Sequence, residues 1–407
     1  MNRLLDLPNP QRRALDLVKE VATEKECRPY LVGGPVRDLL LGRHAIDIDL
    51  TLEEGSSTLA RALARRVEGR VRSFPQFLTY KVTAEGFPEI DIATARKERY
   101  RQPGSLPAVT PGRLRDDLLR RDFTINAVAL GLLDDKLHDP ADGAQDIRDG
   151  VVRVLHERSF LDDPTRIFRA IRLATRLSFT IHPDTARVMR EALDSNALGN
   201  VSRERIWREL FLAMDEEQTA AVLTALANQG ALEVLFGVRK NEQLRGLLEP
   251  IREELARDPD LDRYVIYTGL LLRGDASPVD FEGSGFSQKR ARAVVEIANE
   301  VPRFADSLAS APSDPERFRL YRTVSPEMLA VVSAERPSEA PLIARWREFE
   351  RFKLPLRGND LEVPGGPHVA KALEETRQAV WSGVIAPEEA RSYARQIARR
   401  LFEEAQQ

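Results

Sequence analysis

Two aspartates suited to metal-dependent chemistry lie one residue apart in the segment HAIDIDL, residues 44–50. In a β-strand, Asp47 and Asp49 point to the same face, with their Cα atoms roughly 6–7 Å apart. Two unpaired carboxylates at this spacing repel each other, and a hard divalent cation such as Mg²⁺ relieves that repulsion through oxygen ligands. Two ions about 3.5–4 Å apart form the layout used for in-line phosphoryl chemistry. The alternative is a solvated Asp-x-Asp on an exposed strand face.

Two neighbouring segments could complete such a site. Gly33 and Gly34 lie between a predicted strand and a predicted helix start, where backbone N–H groups can approach phosphate oxygens closely. The segment EIDIA places Asp91 on a later predicted strand, where a third carboxylate could bind a metal ion or accept a proton from an attacking hydroxyl. The alternatives are a plain turn for the glycines and a surface acid for Asp91.

The segment LLRRDFTINAVAL, residues 118–130, combines arginine, aspartate and asparagine with apolar neighbours. Read as a helix, it places Asp122 and Asn126 four residues apart on one face. Such a face could hydrogen-bond a ribose, with Arg121 near a phosphate. The alternative is a helix N-terminus with an acidic first turn.

A further charged segment begins with Asp162 and Asp163, which precede Pro164 at a predicted helix start. On the helix that follows, four arginines fall within roughly 120° of arc, namely Arg166, Arg169, Arg172 and Arg176. A different arc is apolar and should face the core, and it contains Ile167, Ala170, Ile171 and Ala174. A basic stripe beside two acids can hold a base edge and a phosphate backbone. The alternative is an ordinary amphipathic helix with solvated arginines.

The elements that must position these residues change in kind along the chain. Strands are predicted from β-branched and aromatic runs bounded by turn residues, over 28–32, 45–52, 77–84 and 89–95. A short helix from Pro35 to Gly42 fits between the first two. After residue 150 a helical period dominates and no further strand is expected. The helices are predicted over 164–177, 184–194, 203–214, 217–228, 288–300 and 387–404. Loops or linkers are predicted over 308–318 and 356–367.

The composition limits the class of protein. The chain has 407 residues, of which 42% are hydrophobic and 31% charged, as expected for a globular protein of two to four domains. Its net charge of −3 argues against a polybasic binder. A single cysteine, Cys27, suggests a reducing compartment. The histidines are scattered, so no zinc site is expected. No apolar run approaches the roughly 20 residues of a membrane span, and no signal peptide is evident.

Taken in order, the motifs resemble those of the bacterial class II tRNA nucleotidyltransferases and poly(A) polymerases, a branch of the polymerase-β-type nucleotidyltransferases. The resemblance begins with LVGGPVRDLLLGRHAIDIDL and RRDFTINA. It continues with DPADGAQDIRDGVVR (139–153), SFLDDPTRIFRAIRLATRLSF (159–179) and SRERIWREL (202–210). It implies an α+β fold in which a mixed-sheet catalytic head is followed by helices. The implied division is a head over 1–150, a neck over 151–214, a body over 215–315 and a tail over 316–407.

The resemblance also implies roles for individual residues. Asp47 and Asp49 would hold two Mg²⁺ ions and, with Asp91 assisting proton removal, would form the catalytic carboxylates. The implied nucleotide-binding residues fall into three groups. Gly33, Gly34 and Arg37 would contact the triphosphate. Arg121, Asp122 and Asn126 would contact the ribose. Asp162, Asp163 and Arg166 would pair with the base edge, and Arg169 lies on the same helix.

The implied substrates are CTP, ATP and tRNA, whose acceptor stem and elbow the body and tail would bind. DNA and membranes are not expected partners, and a cytoplasmic location is expected. Two departures leave the added nucleotides open, namely Asp162 where the family usually has Glu, and a Pro/Gly-bearing segment over 96–118. Addition of CC alone, of A alone or of the whole CCA therefore remain alternatives. So do a bacterial poly(A) polymerase and a catalytically dead RNA-binding protein.

Overall fold

The computed structural model describes residues 8–43, 47–236, 242–273, 281–311 and 313–405. The chain forms two compact units. Unit 1 contains Met1–Glu249 and Gly274–Ala291, and unit 2 contains Pro250–Arg273 and Arg292–Gln407. The division into head, neck, body and tail at residues 150, 214 and 315 stays a prediction.

In the described ranges, every strand belongs to unit 1. They are β1 Tyr30–Val32, β2 Ile48–Leu52, β3 Arg70–Phe74, β4 Thr79–Ala84, β5 Phe87–Thr94, β6 Arg96–Arg99, β7 Ala108–Pro111, β8 Ala129–Gly131, β9 Leu137–His138, β10 Val151–Val152 and β11 Thr180–Ile181. The strands predicted over 28–32, 77–84 and 89–95 are confirmed within a residue or two at their ends. The strand predicted over 45–52 is confirmed from Ile48, and residues 45 and 46 lie outside the described ranges.

The helices continue to the end of the described chain. In the first part they are α1 Asn9–Glu24, α2 Gly34–Leu40, α3 Ser56–Arg66, α4 Leu114–Leu119, α5 Gly143–Asp149, α6 Ser159–Asp162, α7 Arg166–Leu177, α8 Pro183–Asp194, α9 Arg203–Met214, α10 Thr219–Asn228 and α11 Ala231–Phe236. They continue as α12 Glu242–Arg257, α13 Arg263–Leu271, α14 Gln288–Ser310, α15 Asp314–Tyr321, α16 Pro326–Glu335, α17 Ala340–Arg351, α18 Pro367–Trp381 and α19 Ala390–Glu404. The predicted α+β class is confirmed.

A seven-stranded mixed sheet organises unit 1, in the order β3-β4-β5-β2-β1-β8-β9. Strand β2 pairs parallel to β5 and antiparallel to β1. Alternate residues of β2 and β5 are apolar and buried, namely Ile48, Leu50, Ile90 and Ile92. Because successive side chains of a strand point to opposite faces, the intervening residues are left on the face away from this core. This alternation positions the acidic residues of the site.

A smaller apolar cluster supports the loops around the site. Val32 at the end of β1 packs with Leu114 and Leu118 of α4, and Ala127 and Ala129 complete the cluster. All five side chains are buried. Burial of apolar surface at about 25 cal/mol per Å² is the main force that holds these segments together. The cluster thereby ties the turn after β1 to the segment that follows α4.

Unit 2 is built from helices packed around aromatic and small side chains. Phe318 contacts Trp346, Phe349 and Trp381, with ring centroids 5.3–6.0 Å apart. A second cluster joins α18 and α19 through Ala372, Ala394, Ile397, Ala398 and Leu401, with Leu361. In the ranges that the structure describes, no helix combines the length and the apolar character needed to cross a membrane.

Three local predictions are wrong. Residues 118–130 do not form a helix, because α4 ends at Leu119 and a 3-10 turn over Thr124–Asn126 leads into β8. The loop predicted over 308–318 is replaced by the end of α14 and the start of α15. Strands do return after residue 150, because β10 and β11 form a two-residue parallel pair. Such short pairs carry too few residues to show a period in the sequence.

Candidate active site

Three carboxylates are brought together by the pairing of β2 with β5. Asp49 is the register partner of Asp91, and Asp47 immediately precedes β2. Asp49 is partly buried, whereas the side chains of Asp47 and Asp91 reach solvent. On the next strand, Lys81 is the register partner of Asp91, and its Nζ lies 3.4 Å from Asp91 Oδ2. Strand pairing thus places Asp91 and Lys81 beside Asp49, whereas Asp47 lies just before the strand that was predicted to contain it.

Burial and the crowding of like charges raise the pKa values of Asp49 and Asp91. Burial raises the pKa of Asp49 to about 6, and the nearby charges of Asp91 and Asp47 act in the same direction. Arg121 and Lys81 oppose that rise. Burial also raises the pKa of Asp91, whereas the charge of Lys81 lowers it. A cation bound beside these carboxylates would therefore favour their ionised forms.

Gly33 forms the turn that places the backbone beside these acids. Its φ of +72° lies in the left-handed region that favours glycine. A Cβ added at Gly33 would lie 2.6 Å from Arg121 Nη1, so a side chain cannot be added without moving the guanidinium. Arg121 Nη2 donates to Asp117 Oδ2 at 3.1 Å, while its buried Nε has no partner in the described ranges.

A chain of hydrogen bonds connects α2, the 3-10 turn and α7. Arg37 Nη1 donates to Asn126 Oδ1 at 2.7 Å, and Asn126 Nδ2 donates to Asp122 Oδ1 at 3.0 Å. Arg169 donates to Asp122 Oδ2 from Nε at 3.0 Å and from Nη2 at 2.6 Å. Asp122 and Asn126 therefore meet as predicted, although a turn rather than a helix brings them together.

Asp122 is the electrostatic centre of this chain. Burial alone would raise its pKa, but the Arg169 charge and the Asn126 hydrogen bond hold it well below its usual range. In turn, the Asp122 charge raises the pKa of Arg169. The pair is ionised at neutral pH and fixes the position of the 3-10 turn over Thr124–Asn126.

A cavity of about 350 Å³ is lined by some of these residues, but not by Lys81, Asp91 or Arg121. The predicted site residues on its wall are Gly34, Arg37, Asp47, Asp49, Asp122, Asn126 and Arg169. The wall also contains residues that were not assigned to the site, namely Pro35, Asp38, Arg172, Leu173 and Arg176. Arg172 and Arg176 belong to the predicted basic stripe of α7, which is the signal that could have found them.

The predicted base-reading group lies away from this cavity wall. Arg166 is buried and donates from Nη1 to Ser159 Oγ at 2.7 Å and from Nη2 to the Arg120 carbonyl at 3.1 Å. Asp163 Oδ1 accepts from Arg205 Nη2 at 2.8 Å. The apolar arc of α7 is buried as predicted, with Ile167, Ala170, Ile171 and Ala174 each at most 7% exposed.

A β-hairpin docks on this same group. The Pro/Gly-bearing segment over 96–118 contains the antiparallel pair β6–β7, and Gly104 lies in the loop between them. Arg205 Nη1 donates to the Gly104 carbonyl at 2.7 Å, while Gly104 N donates to the Asp162 carbonyl at 3.2 Å. Arg205 thus joins the hairpin to Asp163. It lies in the segment SRERIWREL, but no local pattern indicates these two partners.

The carboxylate group fits a hard divalent cation. Its donors are oxygens, and the pKa of the partly buried Asp49 is raised, so a nearby cation would favour the ionised form of that carboxylate. In the described ranges, no cluster of three or more His, Cys, Asp or Glu side chains is arranged to hold a metal ion. Two carboxylates without a full protein cage are typical of Mg²⁺ sites that substrate phosphates complete.

Family models match most of unit 1. Residues 29–153 match the poly A polymerase head domain, and residues 178–240 match a probable RNA and SrmB-binding site of polymerase A. The chain is also similar to a solved CCA-adding enzyme in an apo form, with a TM-score of 0.81, 26% identity and 96% coverage of each chain.

Several curated relatives are similar over much of the chain. An A-adding tRNA nucleotidyltransferase of Aquifex aeolicus is 32% identical over 88% of this chain and 45% of its own length. The A-adding enzyme of Halalkalibacterium halodurans is 32% identical over 77% of each protein. A CC-adding enzyme of Deinococcus radiodurans is 36% identical over 58% of this chain and 63% of its own length.

The chain thus spans about half the length of the Aquifex relative and about three quarters of the Halalkalibacterium one. The matching head model begins just before β1 and ends just after β10, so it contains the three carboxylates, the Gly33 turn and the Asp122 chain. With this site, these family models and these relatives, the chain belongs to the family of tRNA nucleotidyltransferases and poly(A) polymerases.

Proposed function

We propose that this chain is a template-independent tRNA nucleotidyltransferase that adds C and/or A residues of the 3′-terminal CCA from CTP and ATP. The observation that carries the proposal is the shared cavity of Asp47, Asp49, Gly34 and Arg37. It combines an acidic pair with a glycine turn and a buried guanidinium, which is what transfer of a nucleotide from a triphosphate requires.

In the proposed reaction, the 3′-hydroxyl of the RNA attacks the α-phosphorus of the nucleotide. A new P–O bond forms while the bond to the β-phosphate oxygen breaks, and pyrophosphate leaves. The backbone at Gly33 and Gly34 and the guanidinium of Arg37 orient the triphosphate. Asp122 and Asn126, held by Arg169, contact the ribose. Asp91 accepts the hydroxyl proton, for which its raised pKa suits it.

We infer that two Mg²⁺ ions bind at Asp47 and Asp49. When bound, such ions lower the pKa of an attacking hydroxyl and neutralise the charge of the leaving group. Lys81 contacts Asp91, whereas Asp47 and Asp49 line the cavity. This arrangement supports a site in which the nucleotide supplies the remaining oxygen ligands.

The assignment of Asp162, Asp163 and Arg166 to the base edge stays a prediction. Addition of A alone is the narrower candidate, because two relatives that match most of this chain are named as A-adding enzymes. The helical part of the chain is proposed to hold the tRNA acceptor stem and elbow by shape and phosphate contacts. The match of residues 178–240 to an RNA-binding model supports this proposal.

Nucleotide addition to three tRNA transcripts tests the proposal. The transcripts lack CCA, end in C or end in CC, and each is incubated with Mg²⁺ and CTP, ATP or both before its 3′ end is sequenced. Complete CCA on the shortest transcript identifies a full CCA-adding enzyme. Extension of the CC-ending transcript alone, by one A, identifies an A-adding enzyme. No addition to any transcript would contradict the proposed function.

A matched pair of variants tests the carboxylates. We expect Asp49→Asn to lower turnover by at least about 10³-fold, because several kcal/mol of charge stabilisation depends on that group. Asp135→Asn removes an exposed carboxylate from the loop between β8 and β9 and should leave turnover unchanged. Normal turnover in Asp49→Asn would refute the assignment.

A further inference from the structure

Four guanidinium groups line the active-site cavity, contributed by Arg37, Arg169, Arg172 and Arg176. The first two are held in the hydrogen-bonded chain through Asn126 and Asp122. Arg172 is also committed, because its Nη1 donates to Glu209 Oε2 at 3.0 Å and its Nε pairs with Glu216 Oε1 at 3.1 Å. Three of the four cations therefore have firm partners within unit 1.

Arg176 is the least committed of these cations. Its Nη1 lies 3.6 Å from Glu216 Oε1, beyond hydrogen-bond distance, and that oxygen is already paired with Arg172. The side chain of Arg176 is 44% exposed, whereas that of Arg172 is 15% exposed. Arg176 can therefore turn to a bound anion and lose only its long, partly solvated ion pair with Glu216.

The charges around the cavity favour an anion beside Arg176. Burial lowers the pKa of Arg37, and the charge of Arg176 lowers it further, against the opposing effect of Asp38. Burial likewise lowers the pKa of Arg172, and the charges of Arg169 and Arg176 add to that effect against the opposing effects of Glu209 and Glu216. Guanidinium groups that repel each other across one cavity are stabilised when a phosphate accepts hydrogen bonds from them.

Four aspartates share this wall, of which Asp38 is paired with Arg37 and Asp122 with Arg169. The other two restrict the kind of anion. Asp47 and Asp49 also line the cavity, and they would repel a phosphate that arrived without cations. A nucleoside triphosphate carries several negative charges and binds together with divalent ions, so it suits a cavity with both kinds of charge.

We propose that Arg176 binds the triphosphate of the incoming nucleotide. The inference deepens the proposed function and rests on it for the identity of the ligand. Arg176 shares its cavity with Gly34 and Arg37, which the proposed reaction places at the triphosphate. An RNA phosphate has the same chemistry, and the experiment separates these two sources.

Equilibrium binding of ATP and of AMP, each with Mg²⁺ and without RNA, tests the inference directly. We expect Arg176→Gln to weaken ATP binding about tenfold, as for the loss of one charge-assisted hydrogen bond, and to leave AMP binding unchanged. Arg176→Lys should restore part of the ATP affinity. Arg187→Gln is the matched control, because Arg187 is a half-exposed arginine on α8 paired with Glu191, and it should change neither affinity.

Steady-state kinetics with a CC-ending tRNA complete the test. The expected result is a raised KM for ATP in Arg176→Gln with an unchanged KM for tRNA. An unchanged ATP affinity with a raised KM for tRNA would overturn the inference and assign Arg176 to RNA phosphate. Equal weakening of ATP and AMP would also overturn it. A wild-type protein that binds ATP but extends no tRNA would contradict only the proposed function, since the ATP and AMP comparison needs no turnover.

Discussion

Replacing Asp122 by Asn perturbs the group that fixes the 3-10 turn of the candidate active site. Asp122 is 8% exposed, and it accepts two hydrogen bonds from Arg169, one from Asn126 and one from the backbone of Phe123. The Asn side chain keeps the size of Asp and a single carbonyl oxygen, but it carries no charge. The substitution therefore tests the ion pair with little change in packing.

The expected cost follows from the burial of the two partners. Removing one partner of a fully buried ion pair costs about 3–5 kcal/mol. The side chain of Arg169 is 40% exposed, so water can solvate the cation that is left behind. We therefore expect Asp122→Asn to lower the free energy of unfolding of unit 1 by about 2–3 kcal/mol at pH 7.

The pH dependence supplies a second, independent signature. The pKa of Asp122 in the folded state is held below its value of about 3.9 in the unfolded chain. Its stabilising contribution is therefore fully present above the unfolded pKa and is lost as pH falls toward the folded pKa. The difference between wild type and variant should stay constant from about pH 7 to 5 and shrink below about pH 4.

The fluorescence of Trp207 reports on unit 1 during urea unfolding. Trp207 is buried on α9, and the other two tryptophans, Trp346 and Trp381, are in unit 2 and can be replaced by Phe in all variants. Asp184→Asn removes a carboxylate that is 78% exposed and should cost almost nothing. A loss below about 0.5 kcal/mol at pH 7, or a difference that persists unchanged at pH 3, would refute the reasoning.

Two further predictions concern the Gly33 turn and the β6–β7 hairpin. Gly33→Ala should weaken ATP binding more than Gly42→Ala, because both glycines have positive φ but only a Cβ at residue 33 meets Arg121 Nη1. Equal ATP affinities of the two variants, measured by calorimetry, would contradict this. Arg205→Ala should speed hydrogen exchange at the Gly104 amide by about tenfold, since Arg205 ties Gly104 to Asp163. Unchanged exchange relative to the Arg187→Gln control would show that the hairpin does not depend on this contact.

The sequence alone predicted the features that depend on local periodicity. Strand alternation placed Asp49 on the face opposite Ile48 and Leu50, because successive side chains of a strand point to opposite sides. Helical periodicity likewise placed Ile167 and Ile171 in the core. The family resemblance was also available from the sequence, because it rests on motifs with fixed spacing.

The prediction of local structure failed where contacts with distant parts of the chain determine the backbone conformation. The segment after Leu119 can be read as a helix from the spacing of Asp122 and Asn126. Instead, Thr124 N donates to the Arg153 carbonyl at 2.9 Å, and Phe123 pairs with Val154 in an isolated bridge. Phe123 is completely buried by this arrangement. These contacts replace the hydrogen bonds of a helix, and the residues nearby in sequence do not indicate them.

Tertiary structure alone decided what each arginine of α7 contacts. The four arginines fall on one arc of the helix, so the sequence presents them as equivalent. Partners from other elements distinguish them. Arg166 donates a hydrogen bond to Ser159, Arg169 to Asp122 and Arg172 to Glu209. Arg176 is left half exposed at the cavity. The helical period determines on which face of the helix a side chain lies. The charged partners on that face come from residues tens of positions away in the sequence.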